Sequence, residues 1–501
     1  MQIIPRLLSA NSVYSFLFVI ISFSAHSLIL SQDLVANPQT ETLKQFKAGA
    51  ATSNITPPLG TSINGGMQDR KAQHVNDELH ARAVALDDGQ NQLAIVVVDN
   101  CLIPREIFDE AKRRVNRWTN LPLENMLMSA THTHSAGSVA HVFQSLPDDS
   151  YAEFLTERIA DAVIRAMNNL EPARIAWGSG QVPDQVFNRR WYVKSEEHRT
   201  NPFGEIDSVR MNPPRDLSEL IEPAGPTDPE LSILSLQALD GRPITLLANY
   251  SLHYVGGTGS GQISADYFGA FAELIKERVT SDYGVKPELN KYPPFVGIMS
   301  NGTSGDINNV NFTEQSEPRE PYSQILKVAG EVADEAYRVY QRLEYHDWVP
   351  LDVQVSELDL GVRLPDQSEL QRAKKIVQQA TGPGMQSREE IYARETIFLS
   401  EYPATVSLKL QAIQIGELAI TAIPCEVFVE IGLELKELSP FDHTFTISLA
   451  NGYNGYLPTV KHHELGGYET WRAKSSYLEI GAAPKVVDQL ENLLTKLAEN
   501  D

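Results

Sequence analysis

The chain has 501 residues, enough for one large catalytic domain without requiring two. Its 42% hydrophobic and 21% charged content is that of a folded protein, and a net charge of −23 argues against binding nucleic acid or an anionic membrane surface by bulk electrostatics. Two cysteines, Cys101 and Cys425, exclude a disulfide framework and a cysteine-built zinc site; two buried free thiols are expected ahead of a single bridge.

The first thirty residues carry Arg6 and then an apolar stretch from Val13 through Phe18, Val19, Ile20 and Ile21 toward Leu30, with small residues at Ala25 and Ser27. This reads as a signal peptide over 1–30, or an anchor if uncut, and makes the protein an exported one: secreted, periplasmic or at the cell surface. A linker over 31–45 and a catalytic domain over 46–500 follow. From Phe46 onward short β-rich runs alternate with amphipathic helical patterns, which predicts an α/β fold: a single large domain with a mixed central sheet flanked by helices. Leu93–Val98, Met126–Ser129, Ile244–Ala248, Phe295–Met299, Leu418–Ile423 and Phe445–Leu449 are nearly continuous apolar runs, as expected for strands buried on both faces of one shared sheet. Apolar residues at three and four spacing predict helices around Phe154–Met167, Phe271–Val279, Ile325–Tyr340, Leu370–Ala380, Val427–Leu435 and Val486–Leu497. Ile415-Gly416-Glu417 reads as a hairpin turn joining a strand at Leu408–Ile413 to the strand at Leu418. The stretches 188–229 and 381–403 look irregular, in the manner of lids or substrate walls.

Several predicted strands run straight into residues that do chemistry. Val98 is followed by Asp99, Ser129 by Thr131-His132-Thr133-His134, Ala248 by His253, Met299 by Asn301 to Asp306, Ile423 by Glu426, and Leu449 by Tyr453 and Tyr456. Ligands of open α/β sheets bind outside the carboxyl ends of strands, so one shared pocket is predicted. His132, His253 and Glu426 make a two-imidazole, one-carboxylate set suited to catalytic zinc with an open position. On a strand continuation His132 and His134 share a face. Either both chelate, or one binds metal while the other handles protons or orients substrate. His74, His198, His346, His462 and His463 are expected to be structural or surface histidines. The loop Asn301–Asp306 suits backbone N–H groups aimed at an oxyanion, or a plain turn. Asp266 is read as a helix N-cap ahead of a partner for a ligating imidazole.

These residues, in this order, resemble the neutral, non-lysosomal ceramidases, specifically their zinc-bearing N-terminal catalytic domain. The resemblance runs through Asn54–Pro58, Asp77–Asp87, Ala130–Ser135, Asn188-Arg189, Ser264–Gly269, Asn301–Asn309, Pro424–Glu426, Asn451–Tyr456 and Gly467–Glu469. It implies that His132, His253, Glu426 and Tyr456 hold Zn2+, and that His134, Arg189 and Tyr468 contact substrate or transition state. Zinc would lower the pKa of water from ~15.7 to about 7, for attack on the amide of an N-acylsphingosine.

Two departures stand out. The family's Gly-Asp-x-Ser-Pro-Asn loop reads Gly305-Asp306-Ile307-Asn308-Asn309 here, so Asn308 replaces a serine; asparagine can donate to an oxyanion but cannot be a nucleophile. The sequence also ends soon after the catalytic segment, and the C-terminal β-sandwich domain of full-length ceramidases is not expected. The reading is therefore a zinc-dependent amidohydrolase with ceramide as leading substrate. The alternatives are a zinc esterase or amidase on another small substrate, or a secreted lipid- or glycan-binding protein that has lost turnover. The expected partner is a lipid or small molecule, with peripheral membrane contact to reach it; nothing in the sequence sets the oligomeric state.

Overall fold

A computed structural model describes residues 44–282, 292–315, 318–382 and 384–499. The signal segment 1–30 and most of the linker 31–45 lie outside the described residues.

Eight strands form the larger sheet: β1 Lys47–Asn54, β2 His80–Asp87, β3 Gln92–Val98, β4 Met126–Ala130, β5 Glu171–Gln181, β6 Glu230–Ala238, β7 Pro243–Tyr250 and β8 Val296–Asn301. Their order is β8-β7-β6-β5-β1-β2-β3-β4. The outermost pairs, β3 with β4 and β7 with β8, are parallel and the rest antiparallel, so the sheet is mixed. A second sheet holds β9 Leu351–Gly361, β10 Thr405–Ile415, β11 Leu418–Ala422 and β12 His443–Ile447, in that order. The expectation that all six apolar runs share one sheet is thus corrected: β11 and β12 lie in the second. An apolar run records burial on both faces and is silent on which sheet does the burying; here the hairpin at Gly416 commits β11 to β10.

Val84, Ile95, Leu247 and Ile298 of the larger sheet pack with Ile413, Ile420 and Phe445 of the smaller one in a common core. Helices cover the outer faces. α1 (Arg105–Thr119) and α2 (Asp149–Asn168) lie over β2 to β4, and α3 (Asp266–Asp282) and α4 (Ser323–Tyr340) over β6 and β7. α5 is Gln367–Gln379, α6 Arg388–Leu399, α7 Val429–Leu438, α8 Val460–Leu465 and α9 Ala482–Glu499; α7 and α9 cover β10 and β11. In β2 the pleat sends Ala81, Ala83 and Ala85 to the helix side and Val84 and Leu86 to the inter-sheet core. Small residues there let α2 approach closely.

Neither irregular stretch is wholly irregular. Residues 188–229 contain a three-stranded sheet of Arg190–Val193, Val209–Met211 and Leu220–Pro223. Residues 381–403 contain α6, whose start is fixed by a capping box: the Ser387 side chain accepts from the Glu390 N–H and the Glu390 carboxylate from the Ser387 N–H.

The segment after β12 draws distant strand ends together. The Ser448 N–H donates to the Asn301 carbonyl at 3.0 Å, the Ala130 N–H to the Leu449 carbonyl at 3.2 Å, and the Leu449 N–H to the Cys425 carbonyl at 3.0 Å. One short stretch thereby ties the ends of β4 and β8, which are opposite edges of the larger sheet, to the residue preceding Glu426.

Candidate metal centre

His132 follows β4 in a turn, with φ of 77°, so the predicted strand continuation through Thr131–His134 is not formed. The turn still aims both rings inward: His132 Nε2 lies 3.1 Å from His134 Nε2 and 3.1 Å from His253 Nε2. His132 Nδ1 is 2.7 Å from the Cys101 carbonyl and His253 Nδ1 is 3.0 Å from the Ser304 carbonyl. A carbonyl only accepts, so Nδ1 carries the proton of each neutral ring and leaves Nε2 with the lone pair. The third group is a carboxylate, with Glu426 Oε2 3.2 Å from His132 Nε2. All three donors are buried and lie within 4.8 Å of one another.

Two lone pairs and a negative oxygen pointed at one another in a dry site repel unless a cation sits among them. Two nitrogens each ~2.0–2.1 Å from a tetrahedral zinc ion would lie about 3.3 Å apart, close to the separation found. Without a metal ion the same repulsion is relieved by a proton, and His132 is where it goes. Burial disfavours charge on His132, yet the Glu426 carboxylate outweighs it and holds this imidazole well above its ordinary range. Burial and Arg189 hold His253 well below it, and burial and His132 do the same to His134. Burial pushes Glu426 up, but His132 and then Tyr456 bring it below the usual carboxylate range. The centre favours one positive charge rather than several.

Tyr456 faces Glu426 across a short parallel pairing of Glu426–Val427 with Tyr456–Leu457, so both side chains emerge on one side. Arg189 donates from one guanidinium nitrogen to the Tyr456 oxygen at 3.2 Å and to the Gly305 carbonyl at 2.7 Å, and its Nε donates to Glu469 at 2.9 Å. Glu469, fully buried, also accepts from Arg190 at 2.6 Å. Tyr453 donates to Glu426 Oε1 at 3.1 Å. A cavity of about 30 Å³, room for a water molecule, is lined by His132, His134, Glu426, Tyr453, Tyr456 and Tyr468 among others.

One expectation changes, and one choice left open in the sequence narrows. Asn308 does not join these residues: its amide nitrogen donates to Asn212 and its oxygen accepts the Val310 N–H. In the Asn301–Asp306 loop the N–H groups of Gly302, Thr303 and Gly305 are bonded within the protein, and the carbonyls of Ser304 and Gly305 meet His253 and Arg189, which favours the plain turn. Gly305 is needed for that, since a Cβ there would sit 2.7 Å from the Glu426 carbonyl. Asp266 touches no imidazole; its carboxylate accepts the N–H groups of Val255, Gly256 and Tyr267, fixing the chain just beyond His253. Both cysteines are free and buried. Of the histidines read as structural, His462 is fully buried between Arg190 and Glu430.

Several contributors escaped the sequence reading. Tyr254 stacks on His134 at 3.7 Å between ring centroids, Arg70 donates to the His134 carbonyl, and Gly65 yields space that a Cβ would take from the His134 ring. The Asn64-Gly65-Gly66 turn was the one available signal.

A family model described as "Neutral/alkaline non-lysosomal ceramidase, N-terminal" matches residues 46–319. The chain belongs to the neutral/alkaline non-lysosomal ceramidase family. Among relatives in that family, neutral ceramidase A of Dictyostelium discoideum is 20% identical over 269 residues, which are 52% of this chain and 34% of that protein. Neutral ceramidase of Pseudomonas aeruginosa is 22% identical over 404 residues, 69% of this chain and 56% of that one. The chain thus spans well under two thirds of either relative. The crystal structure of neutral ceramidase from Pseudomonas aeruginosa shares the ceramidase fold with a TM-score of 0.69 at 18% identity, covering 91% of this chain and 75% of that one. A second structure, titled "Ceramidase complexed with C2", gives 0.67 at 16% identity, covering 91% and 76%.

Proposed function

We propose that the protein is a zinc-dependent amidohydrolase, with an N-acylsphingosine as its leading substrate. The observation that carries this reading is the convergence of two bare imidazole nitrogens and a carboxylate oxygen in a buried site within a ceramidase fold. His132, His253, Glu426 and Tyr456 hold the ion. Bound zinc supplies a Lewis acid that acidifies water.

The chain's own residues do the remaining work. Arg189 places a positive hydrogen-bond donor on the Tyr456 oxygen, favouring the phenolate character a ligand needs. Burial and then the Glu426 carboxylate push that phenol up, so Arg189 offsets a real cost. His134, braced by Tyr254, presents Nε2 at the same cavity as Tyr468, where a substrate carbonyl or leaving amine can be held. Tyr468 offers a phenolic donor for a developing oxyanion. A wider cleft of about 480 Å³ reaches His134 past Met67 and Tyr254 and gives an acyl chain a path in. The apolar N-terminal stretch supports export, which detection of the protein outside the cytoplasm, lacking its first residues, checks.

Fatty-acid release from N-acylsphingosine by purified protein tests the reading. The parent is expected to carry zinc and turn substrate over, and His132→Ala to lose both. Equal release by parent and variant would remove the proposal.

A further inference from the structure

The two stretches read as irregular, 188–229 and 381–403, both contribute to the lining of one cavity beside the metal centre, together with Met67 and the segment from Gly467 to Trp471. Its volume is about 120 Å³. Tyr468 lines both this cavity and the one before the metal donors, and Met67 lines both this cavity and the cleft beside His134. Arg199 and Arg210 come from the first stretch and Arg388, the first residue of α6, from the second.

Three guanidinium groups around one small cavity are unexpected in a chain with 65 acidic and 42 basic residues. Elsewhere Arg105, Arg114 and Arg278 find carboxylates, while Arg363 and Arg394 are met by main-chain carbonyls. Among the described residues these three form no ion pair. Arg199 donates to the Asp207 carbonyl at 2.7 Å, Arg210 to the His198 carbonyl at 3.2 Å, and Arg388 lies 5.6 Å from the centre of the Trp471 ring. The Nε atoms of Arg199 and Arg210 are buried without a hydrogen-bond partner. Asp207 is the one carboxylate lining the cavity, and both its oxygens are committed: one to the Asn201 amide at 3.1 Å, the other to the Gly467 N–H at 2.8 Å and the Trp471 indole at 2.7 Å.

We propose that this cavity is a subsite for an anionic group, a carboxylate, sulfate or phosphate, carried by the substrate near its scissile amide, with Arg210 and Arg388 as the charged contacts. Guanidinium suits this task because its planar fork meets two oxygens of such a group at once. The neighbours' mutual repulsion points the same way: burial and then the Arg388 charge pull Arg210 below the usual guanidinium range, against the opposing pull of Asp207. An oxyanion between them relieves both. An N-acylsphingosine carries no charge to meet these groups, whereas an N-acyl amino acid or a phosphorylated N-acyl sphingoid does. The proposal rests on the amidohydrolase reading for its chemistry, and on the cavity alone for its charge.

The test compares kcat/KM for two matched pairs: N-lauroylglycine against N-lauroylglycinamide, and N-acylsphingosine 1-phosphate against N-acylsphingosine. The parent is expected to prefer the charged member of one pair at least about tenfold, and that pair identifies the source of the anion. Arg388→Gln, at an exposed site that folding tolerates, and Arg210→Gln should each lower the charged-to-neutral ratio about tenfold. Calorimetric titration with sodium sulfate separates the subsite from the chemistry. One saturable site in the parent, lost in the double variant, supports the subsite even if no amide is cleaved, and the hydrolase reading then falls alone. Equal rates on charged and neutral substrates, or absence of turnover together with absence of saturable sulfate binding, overturn the subsite.

Discussion

His132 occupies a left-handed backbone conformation that a non-glycine residue adopts only when its surroundings hold it there. Its N–H donates to the Asn100 carbonyl at 2.9 Å and its Nδ1 to the Cys101 carbonyl, so two bonds to adjacent residues fix both backbone and ring. This is how a side chain at the end of a strand is turned into the site. Lys112 is a second residue held against its preference. It is buried under the segment after β12, donating to Asn451 Oδ1 at 2.7 Å, and burial followed by the Lys409 charge bring its pKa from 10.5 down to about 7. Between those two values the unfolded chain binds a proton that the folded chain does not, so folded-state stability should rise as pH climbs from 7 toward 10.5. Denaturant titrations of parent and Lys112→Met across that range should diverge, the variant lacking this rise; parallel curves would show that Lys112 does not titrate as stated.

At the scale of elements, α6 shows both what pattern reading reaches and where it stops. Its hydrophobic face is weak because Glu395 and Thr396 are buried along with Ile391, Tyr392 and Leu399, so no clean three-and-four spacing survives. Its start was nonetheless written in the sequence as Ser387 followed three residues later by Glu390. Ser387→Ala should cost about 1 kcal/mol of stability and loosen the turn that carries Arg388, read as a lower urea midpoint; an unchanged midpoint would mean the cap is redundant. β1 and β2 were missed for a related reason. Their alanines and small polar residues lack the β-branched signal of β3 and β7, and only their places in the middle of the larger sheet make them strands. The legible strands β3, β4, β7, β8, β11 and β12 are those buried on both faces by bulky residues, and β10 was legible through its hairpin at Gly416.

Across the whole molecule, the four proposed zinc donors come from the ends of β4 and β7, toward opposite sides of one sheet, and from the segments following β11 and β12 of the other. A bound ion therefore ties both sheets together, and by mass action it should stabilise the folded chain by about 3 kcal/mol at a hundredfold excess over its Kd. Chelation should lower the Tm and added zinc restore it, with Glu426→Ala indifferent to both; a Tm insensitive to chelator in the parent would argue that the four donors do not share an ion. The sequence by itself determined the residue types, the apolar runs that feed them and the membership of a family, because burial pattern and donor chemistry are local properties. Only the tertiary structure decided that the glycine-bearing loop turns carbonyls toward the centre, that Asn308 bonds elsewhere, and that three arginines from two distant stretches line one cavity. Those outcomes depend on which backbone group meets which across the fold, and such meetings are set by packing between segments hundreds of residues apart.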